Sequence, residues 1–311
     1  MGQLIEMNNE ITLQNSADLS NSFLNFIDTP SKRTIETYKR ALKRLFAFFY
    51  ERRITKPQRE DILNYKRSLE ADGLKNTTIS TYIAVTRLFF RWTAQEGIYP
   101  NIADHIKGEK ISREHKKDYL TAAQASDIPK SIDTDTAAGK RDFSIVLLMT
   151  VCGLRTIEVA RANIEDIRGA GEQTLLYLQG KGRTDKGDFV RLPEVVEKAI
   201  REYLKTRPEA KGTDPLFISN SNNNAGGRMT TRAISGIAKQ SMKQAGYTSE
   251  RLTAHSLRHT AVTLALIGGA SLQEAQQFAR HSDISTTTIY AHNLDKMKNT
   301  CADTIAAALV I

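Results

Sequence analysis

Four residues that could do chemistry, His255, Arg258, His281 and Tyr290, fall within one short span of the sequence, residues 253–292. His255 and Arg258 are three residues apart, so on a helix their side chains project from one face. His281 follows a second helical stretch, and Tyr290 comes nine residues later, beyond a Ser/Thr-rich segment. A cationic fork, two imidazoles and a phenol suit one substrate class, a phosphodiester attacked by a tyrosine.

Taken singly, these residues also have ordinary structural interpretations. His255 and His281 can sit at helix ends or in a core with their hydrogen bonds satisfied, and Tyr290 can be an interface residue. A metal site is disfavoured because neither histidine has carboxylate or cysteine partners at ligand spacing. In metal-free phosphoryl transfer, cations hold the phosphate charge, a tyrosine forms a covalent intermediate and a lysine protonates the leaving alkoxide. Because one basic chain holds all these parts, we favour this chemistry and predict no metal and no cofactor.

The charge of the chain indicates its partner. A net charge of +9 over 311 residues and a pI near 9.4 favour nucleic acid, with a merely basic soluble protein as the alternative. Cys152 and Cys301 have no CxxC spacing, which predicts buried free thiols in a reducing compartment. No secretory signal opens the sequence and no apolar run reaches membrane-spanning length, so we expect a cytoplasmic protein.

The first third of the chain predicts a helical domain. Residues 1–15 are polar and read as a flexible N-terminus, and residues 16–106 show four helical patterns with Ser31 as the N-cap of the second. That second helix carries an excess of cations, among them Lys39, Arg40, Lys43 and Arg44. A solvated charged face is the usual interpretation, but the excess of one sign favours contact with DNA phosphates.

Residues 107–118 are polar and basic and predict a linker to a second domain, residues 119–311. In that domain helical patterns dominate, and residues 175–178 and 189–192 alternate like two strands of a small antiparallel sheet. The loop between them carries Lys181 and Lys186 among glycines, as a hairpin that approaches an anion does. A helix over residues 230–245 carries Arg232 and Lys239, two further candidates for DNA contact. The fold class is therefore mainly α with a small antiparallel sheet.

With these motifs in view, the chain resembles the tyrosine recombinases, which are phage-integrase-like site-specific DNA recombinases. The similarity runs from about residue 16 onward, and the first part resembles the family's four-helix core-binding (SAM-like) domain. The catalytic motifs are matched by CGLRTIEV, AHSLRHT, ARHSDISTTTIY and a Gly-Lys-Gly hairpin, which supply Arg155, Glu158, His255, Arg258, His281, Tyr290 and Lys181.

The resemblance implies a role for each residue. Arg155 and Arg258 clamp the scissile phosphate, and His281 bonds a phosphate oxygen. His255 handles the proton of the Tyr290 nucleophile. The remaining assignments are Lys181 as general acid for the 5′-hydroxyl, with Lys186 as the weaker candidate, Glu158 as the residue that orients Arg155, and His259 as structural. Arg280 stands where relatives usually have glycine, and we assign it a possible phosphate contact.

The same resemblance implies DNA cleavage and joining through a 3′-phosphotyrosyl intermediate, without metal or cofactor. Four protomers act on two duplexes, and the apolar tail, residues 297–311, docks on a neighbouring protomer. Integration of a mobile element, dimer resolution and inversion of a segment all remain open. The alternatives are a type IB topoisomerase, which shares the chemistry, and a DNA-binding regulator, which has no use for Tyr290 and Lys181.

Overall fold

The computed structural model describes residues 13–27, 31–110, 119–180, 185–297 and 300–309. The chain divides into two compact units, Met1–Ser112 and Arg113–Ile311. Most of the predicted linker, residues 111–118, lies outside the described residues, as do residues 1–12 of the predicted N-terminal segment.

Among its described residues, the N-terminal unit contains four α-helices, as predicted. They are α1 (Leu13–Phe26), α2 (Lys32–Glu51), α3 (Arg59–Ala71) and α4 (Asn76–Gln95). Helix α2 begins at Ser31, whose hydroxyl accepts the Thr34 backbone N–H and so caps the helix. Apolar residues of α2 and α4 fill the core, where Phe46 meets Phe89 edge-to-face at 5.5 Å between ring centroids.

The opposite face of α2 is basic and open to solvent. Lys39, Arg40, Lys43 and Arg44 are all exposed, while Leu42 and Leu45 between them are fully buried. Arg44 also pairs with Asp72 beyond the end of α3. The helix therefore separates a hydrophobic stripe from a row of cations, as its period predicts.

The C-terminal unit consists of nine helices and one sheet within the described residues. The helices are α5 (Ala122–Lys130), α6 (Ala137–Thr150), α7 (Thr156–Arg161), α8 (Glu194–Leu204), α9 (Thr231–Gln244), α10 (Ala254–Ile267), α11 (Leu272–Ala279), α12 (Ser285–Met297) and α13 (Cys301–Ala308). Helix α10 is the centre of this unit, since it packs against α5, α6, α9, α11 and α12. Such a position explains why a helix that carries Arg258 and His259 is otherwise strongly apolar.

The predicted small antiparallel sheet is confirmed. Strands β1 (Ile167–Ala170), β2 (Gln173–Leu178) and β3 (Asp188–Arg191) pair in the order β1-β2-β3. Both strands singled out from the sequence are present, with Leu176 opposite Val190. The sequence analysis did not single out β1, because its residues IRGA neither alternate nor favour a strand.

The structure shows where the two cysteines lie. Cys152 is buried and Cys301 is exposed, so the prediction that both thiols are buried is wrong for Cys301. Cys301 begins α13, where Ile305 is exposed as well, and Leu309 just after the helix is also exposed. Among the helices of the described residues, none has the length and apolarity needed to cross a bilayer.

Candidate active site

Glu158 is the buried anion at the centre of the candidate site. It lies in the first turn of α7 and is 1% exposed. Its Oε2 accepts the backbone N–H of Arg155 at 2.8 Å, and its Oε1 accepts the Arg155 guanidinium at 2.7 Å. Burial alone raises the pKa of the Glu158 carboxyl, but Arg280, the Arg155 backbone N–H, Arg258 and the Arg155 side chain outweigh it and lower the pKa overall. Glu158 is therefore ionised and orients Arg155, which retains partial exposure.

Arg258 is completely buried at the same place. It comes from α10, and its guanidinium donates to the carbonyl oxygens of Gly153 and Ala279. Its Nη1 lies 3.9 Å from Glu158 Oε2, an ion pair without a hydrogen bond. Burial, followed by the charge of Arg155, lowers the pKa of Arg258 to about 9, and Glu158 opposes that change. At neutral pH the side chain remains a cation.

Arg280 lies within the same cluster. We predicted a phosphate contact for it, and its side chain is 7% exposed and faces Glu158. Its Nη2 donates to Glu158 Oε2 at 3.1 Å and to the Gly153 carbonyl at 3.2 Å. Its own carbonyl accepts Arg155 Nη2 at 3.1 Å. The left-handed backbone at Arg280 (φ 51°, ψ 48°), which ends α11, turns the side chain back toward the cluster.

His281 follows Arg280 and is held by a residue that sequence reasoning missed. Its Nδ1 lies 2.9 Å from the hydroxyl of Thr287, a fully buried residue of α12. Burial, then the charges of Arg258, Arg155, His255 and Arg280, lowers the pKa of His281 to about 4. The imidazole is therefore neutral at physiological pH. On a helix, Thr287 lies three residues before Tyr290 and therefore on the same face. This spacing could have identified Thr287 from the sequence.

Tyr290 lies on α12 and is 2% exposed. Its ring centroid is 4.4 Å from that of His259 and 6.2 Å from that of His281. Burial raises the pKa of the Tyr290 phenol, and the guanidiniums of Arg258 and Arg155 oppose part of that rise. The phenol thus lies within electrostatic reach of two of the cations that the sequence assigned to the phosphate.

The remaining candidate catalytic residues make fewer contacts with the cluster around Glu158. His255 is exposed on the first turn of α10, and its charge contributes to the lowered pKa of His281. Lys181 lies outside the described residues. Lys186 binds both oxygens of the buried Asp166 at 2.8 and 2.7 Å. This ion pair occupies the ammonium of Lys186 and weakens its case as the general acid.

The candidate DNA contacts have different positions. Arg232 and Lys239 are exposed on α9, as Lys39, Arg40 and Lys43 are on α2. Within the described residues, the His, Cys, Asp and Glu side chains form no group of three or more that could hold a metal ion.

A four-helix unit, a helical unit with a small antiparallel sheet, and arginines gathered beside a histidine and a tyrosine together define a tyrosine-type site-specific recombinase. The chain belongs to the phage integrase family, whose model matches residues 118–297. Residues 22–97 match the model "Phage integrase, N-terminal SAM-like domain".

The relatives agree with this assignment. Tyrosine recombinase XerD of Listeria innocua is 27% identical over 299 residues, which cover 88% of this chain and 94% of the relative. Tyrosine recombinase XerC of Corynebacterium glutamicum is 30% identical over 229 residues, which cover 72% of this chain and 70% of the relative. The crystal structure of XerH site-specific recombinase bound to palindromic difH substrate superposes with a TM-score of 0.74 at 20% identity, covering 96% of this chain and 90% of that one. At this identity the superposition shows the shared fold.

Proposed function

We propose that this recombinase cuts and rejoins double-stranded DNA through a covalent 3′-phosphotyrosyl intermediate on Tyr290. The main support is the position of the phenol, which lies beside His281 and within the electrostatic influence of Arg258 and Arg155. A nucleophile, a neutral donor and two cations are the parts that a metal-free phosphoryl transfer needs.

In the cleavage step, the Tyr290 oxygen forms a bond to the scissile phosphorus and the bond from phosphorus to the 5′ oxygen breaks. The phenol loses its proton, and the 5′ oxygen gains one to become a hydroxyl. Rejoining is the reverse reaction with a different 5′-hydroxyl. Because the phosphotyrosyl bond conserves the energy of the phosphodiester, no external energy source is needed.

The guanidiniums of Arg155 and Arg258 hold the non-bridging oxygens, whose charge grows in the transition state. We assign the proton of Tyr290 to His255, the role that the family resemblance implies for it. Lys181 is the proposed donor to the 5′ oxygen. Lys186 is the weaker candidate because Asp166 holds it.

His281 donates to a phosphate oxygen as a neutral imidazole. A phosphate oxygen needs a donor, so Nε2 must carry the ring proton. The hydroxyl of Thr287 must then donate to Nδ1, and their distance of 2.9 Å permits this. By donating to Nδ1, Thr287 would stabilise the tautomer of His281 that binds phosphate.

The partners follow from the same proposal. The similar solved structures include XerH recombinase bound to palindromic difH substrate, a lambda integrase dimer bound to a COC' core site and the Tn1549 transposon integrase in complex with transposon right end DNA. We propose that double-stranded DNA is the substrate here as well. Lys39, Arg40, Lys43 and Arg44 of α2, with Arg232 and Lys239 of α9, supply contacts to the phosphate backbone. We further propose action in the cytoplasm, on a mobile element or in dimer resolution.

We also propose a tetramer on two duplexes, assembled through the C-terminal helix. In the single chain, α13 leaves Ile305 and Leu309 58% and 63% exposed, which favours burial of both against a neighbouring protomer. Deletion of residues 304–311 should abolish strand exchange and spare DNA binding. Unchanged recombination by the truncated protein would contradict the proposed assembly through the C-terminal helix.

The decisive experiment begins by selecting a bound duplex from a random-sequence library with the full-length protein. That duplex is then nicked beside the cut, so that the cleaved fragment diffuses away and rejoining fails. Wild type and Tyr290→Phe are incubated with it in excess EDTA and run on a denaturing gel. We expect a covalent protein–DNA adduct from wild type alone. Tight binding without an adduct would favour the regulator, and relaxation of a plasmid that lacks the selected site would favour a topoisomerase.

A further inference from the structure

Arg280 makes contacts that place a third cation on one buried carboxylate. Arg155, Arg258 and Arg280 all lie within 4.0 Å of Glu158, so the formal charge of the group is +2, and it would be +1 without Arg280. An arginine at 7% exposure with a left-handed backbone is a costly arrangement, since such a backbone alone costs about 1 kcal/mol or more outside glycine. The contacts of Arg280 indicate what this unfavourable arrangement does for the site.

The acceptors around Glu158 are limited, and Arg280 occupies two of them. Glu158 Oε2 accepts the Arg155 backbone N–H at 2.8 Å and Arg280 Nη2 at 3.1 Å, while Arg258 Nη1 stays at 3.9 Å. Arg280 Nη2 also donates to the carbonyl of Gly153, which Arg258 uses as well. Arg258 is therefore kept out of a close ion pair with Glu158.

The consequence concerns the phosphate. Arg258 Nε has no hydrogen-bond partner among the described residues, although it is buried. A guanidinium whose charge is only partly compensated, and which has an unused N–H, attracts a phosphate oxygen more strongly than one saturated by a carboxylate. The backbone of Arg280 adds a second effect, because its carbonyl holds Arg155 Nη2 at 3.1 Å and so orients the other clamp.

We propose that Arg280 is a positioning residue for strand cleavage: it takes the Glu158 oxygen that Arg258 would otherwise bind, and so keeps Arg258 and Arg155 available for the scissile phosphate. This inference rests on the proposed phosphotyrosyl chemistry. In this proposal Arg280 acts through Arg258 and Arg155 and does not itself contact DNA. Loss of Arg280 should therefore slow cleavage without weakening DNA binding.

The test uses full-length Arg280→Gly and Arg280→Lys with the nicked duplex described above. Glycine removes the guanidinium and suits the left-handed backbone, so the variant should fold. We expect its single-turnover rate of adduct formation to fall roughly ten- to hundredfold, somewhat less than for loss of a direct oxyanion donor. DNA affinity should be unchanged. Lysine retains a cation and should recover part of the lost rate.

Chemical rescue gives a readout that a purely structural role would not produce. Arg280 lines an open cleft of about 500 Å³ together with Cys152 and Phe278, so a free guanidinium ion can reach the space that the glycine leaves. Millimolar guanidinium should accelerate Arg280→Gly and leave wild type unaffected. Failure of both this rescue and the lysine substitution would overturn the inference.

Arg141→Gln is the matched control. The Arg141 side chain is 9% exposed and donates to one carboxylate and one carbonyl, those of Asp142 and Ile218. The Arg280 side chain similarly donates to one carboxylate, Glu158, and to the carbonyls of Gly153 and Phe278. Its loss should lower the melting temperature and leave the cleavage rate of the folded protein unchanged. An equal slowing in this variant, an unchanged rate in Arg280→Gly, or a matching loss of DNA affinity would each overturn the inference. Absence of an adduct from wild type would instead overturn the phosphotyrosyl proposal and this inference with it.

Discussion

The imidazole of His259 lies against the phenol of Tyr290, with ring centroids 4.4 Å apart and planes inclined by 47°. His259 also stacks on Tyr119, at 5.9 Å and 5°. The proposed nucleophile thus belongs to a group of packed aromatic rings and is 2% exposed. The sequence assigned His259 a structural role, and these contacts explain what that role is.

Substitution of His259 by alanine should therefore destabilise the C-terminal unit. The variant loses a buried ring, for which we expect about 2–4 kcal/mol less free energy of unfolding. Urea titration of His259→Ala and His255→Ala measures this, because His255 is exposed on the same helix one turn earlier. Equal stability of the two variants would contradict the packing role of His259.

Thr287→Val should slow strand cleavage by about tenfold while preserving side-chain volume. The reason is that His281 loses the hydroxyl that sets its tautomer, an effect of the size of one hydrogen bond. Thr288→Val is the control, because Thr288 is exposed and bonds only the Ile284 carbonyl of its own helix. A cleavage rate in Thr287→Val equal to that of Thr288→Val would rule out the tautomer mechanism.

The lowered pKa of His281 predicts a loss of stability in mild acid. The unfolded chain binds a proton at this histidine below its ordinary pKa of 6.5, whereas the folded chain binds it only near pH 4. The stabilising contribution is complete above pH 6.5 and is lost as the pH falls toward about 4. Free energies of unfolding measured across this interval should decline less steeply in His281→Asn. His105→Asn, at an exposed histidine, should decline as wild type does.

The two hairpin lysines can be separated by changing the leaving group. When sulfur replaces the 5′-bridging oxygen of the substrate, the 5′ thiolate can leave without being protonated. This substrate should therefore restore cleavage to Lys181→Ala. The sulfur substrate should not restore cleavage to Lys186→Met. This substitution leaves the buried Asp166 carboxylate, which is 1% exposed, without its ion-pair partner and costs about 1–3 kcal/mol of stability. Restoration of Lys186→Met by the sulfur substrate would reassign the general acid to Lys186.

Gly153→Ala should lower both stability and cleavage. Gly153 has φ +61°, and an added Cβ would lie 3.0 Å from the ring of Phe278, while its carbonyl binds Arg258 and Arg280. We expect a loss of about 1–3 kcal/mol. Gly171→Ala separates the two causes, because Gly171 has φ +60° and an open surrounding. If both variants lose equal stability and keep the wild-type rate, the Phe278 contact has no role.

Much of the fold could be predicted because its signals are local. Helix α2 is encoded by its apolar period and by Ser31 at its start, and α11 by Ser271 and Glu274, which form a capping box. The residues of strand β1 carry no such local signal, and the strand forms through its pairing with β2. The inward turn of Arg280 was equally unavailable, because a basic residue at a helix end reads as solvent-exposed until its neighbours are known.

The sequence by itself determined which side chains are candidates for the chemistry. Arg155 with Glu158, His255 with Arg258, and His281 with Tyr290 lie in short motifs, where spacing of a few residues places side chains on one face or one turn. Only the tertiary structure decided how the motifs meet. Gly153 accepts Arg258 across 105 residues of chain, and Glu158 accepts Arg280 across 122. Contacts of that range depend on how α7, α10 and α11 pack together, and no local spacing records that packing.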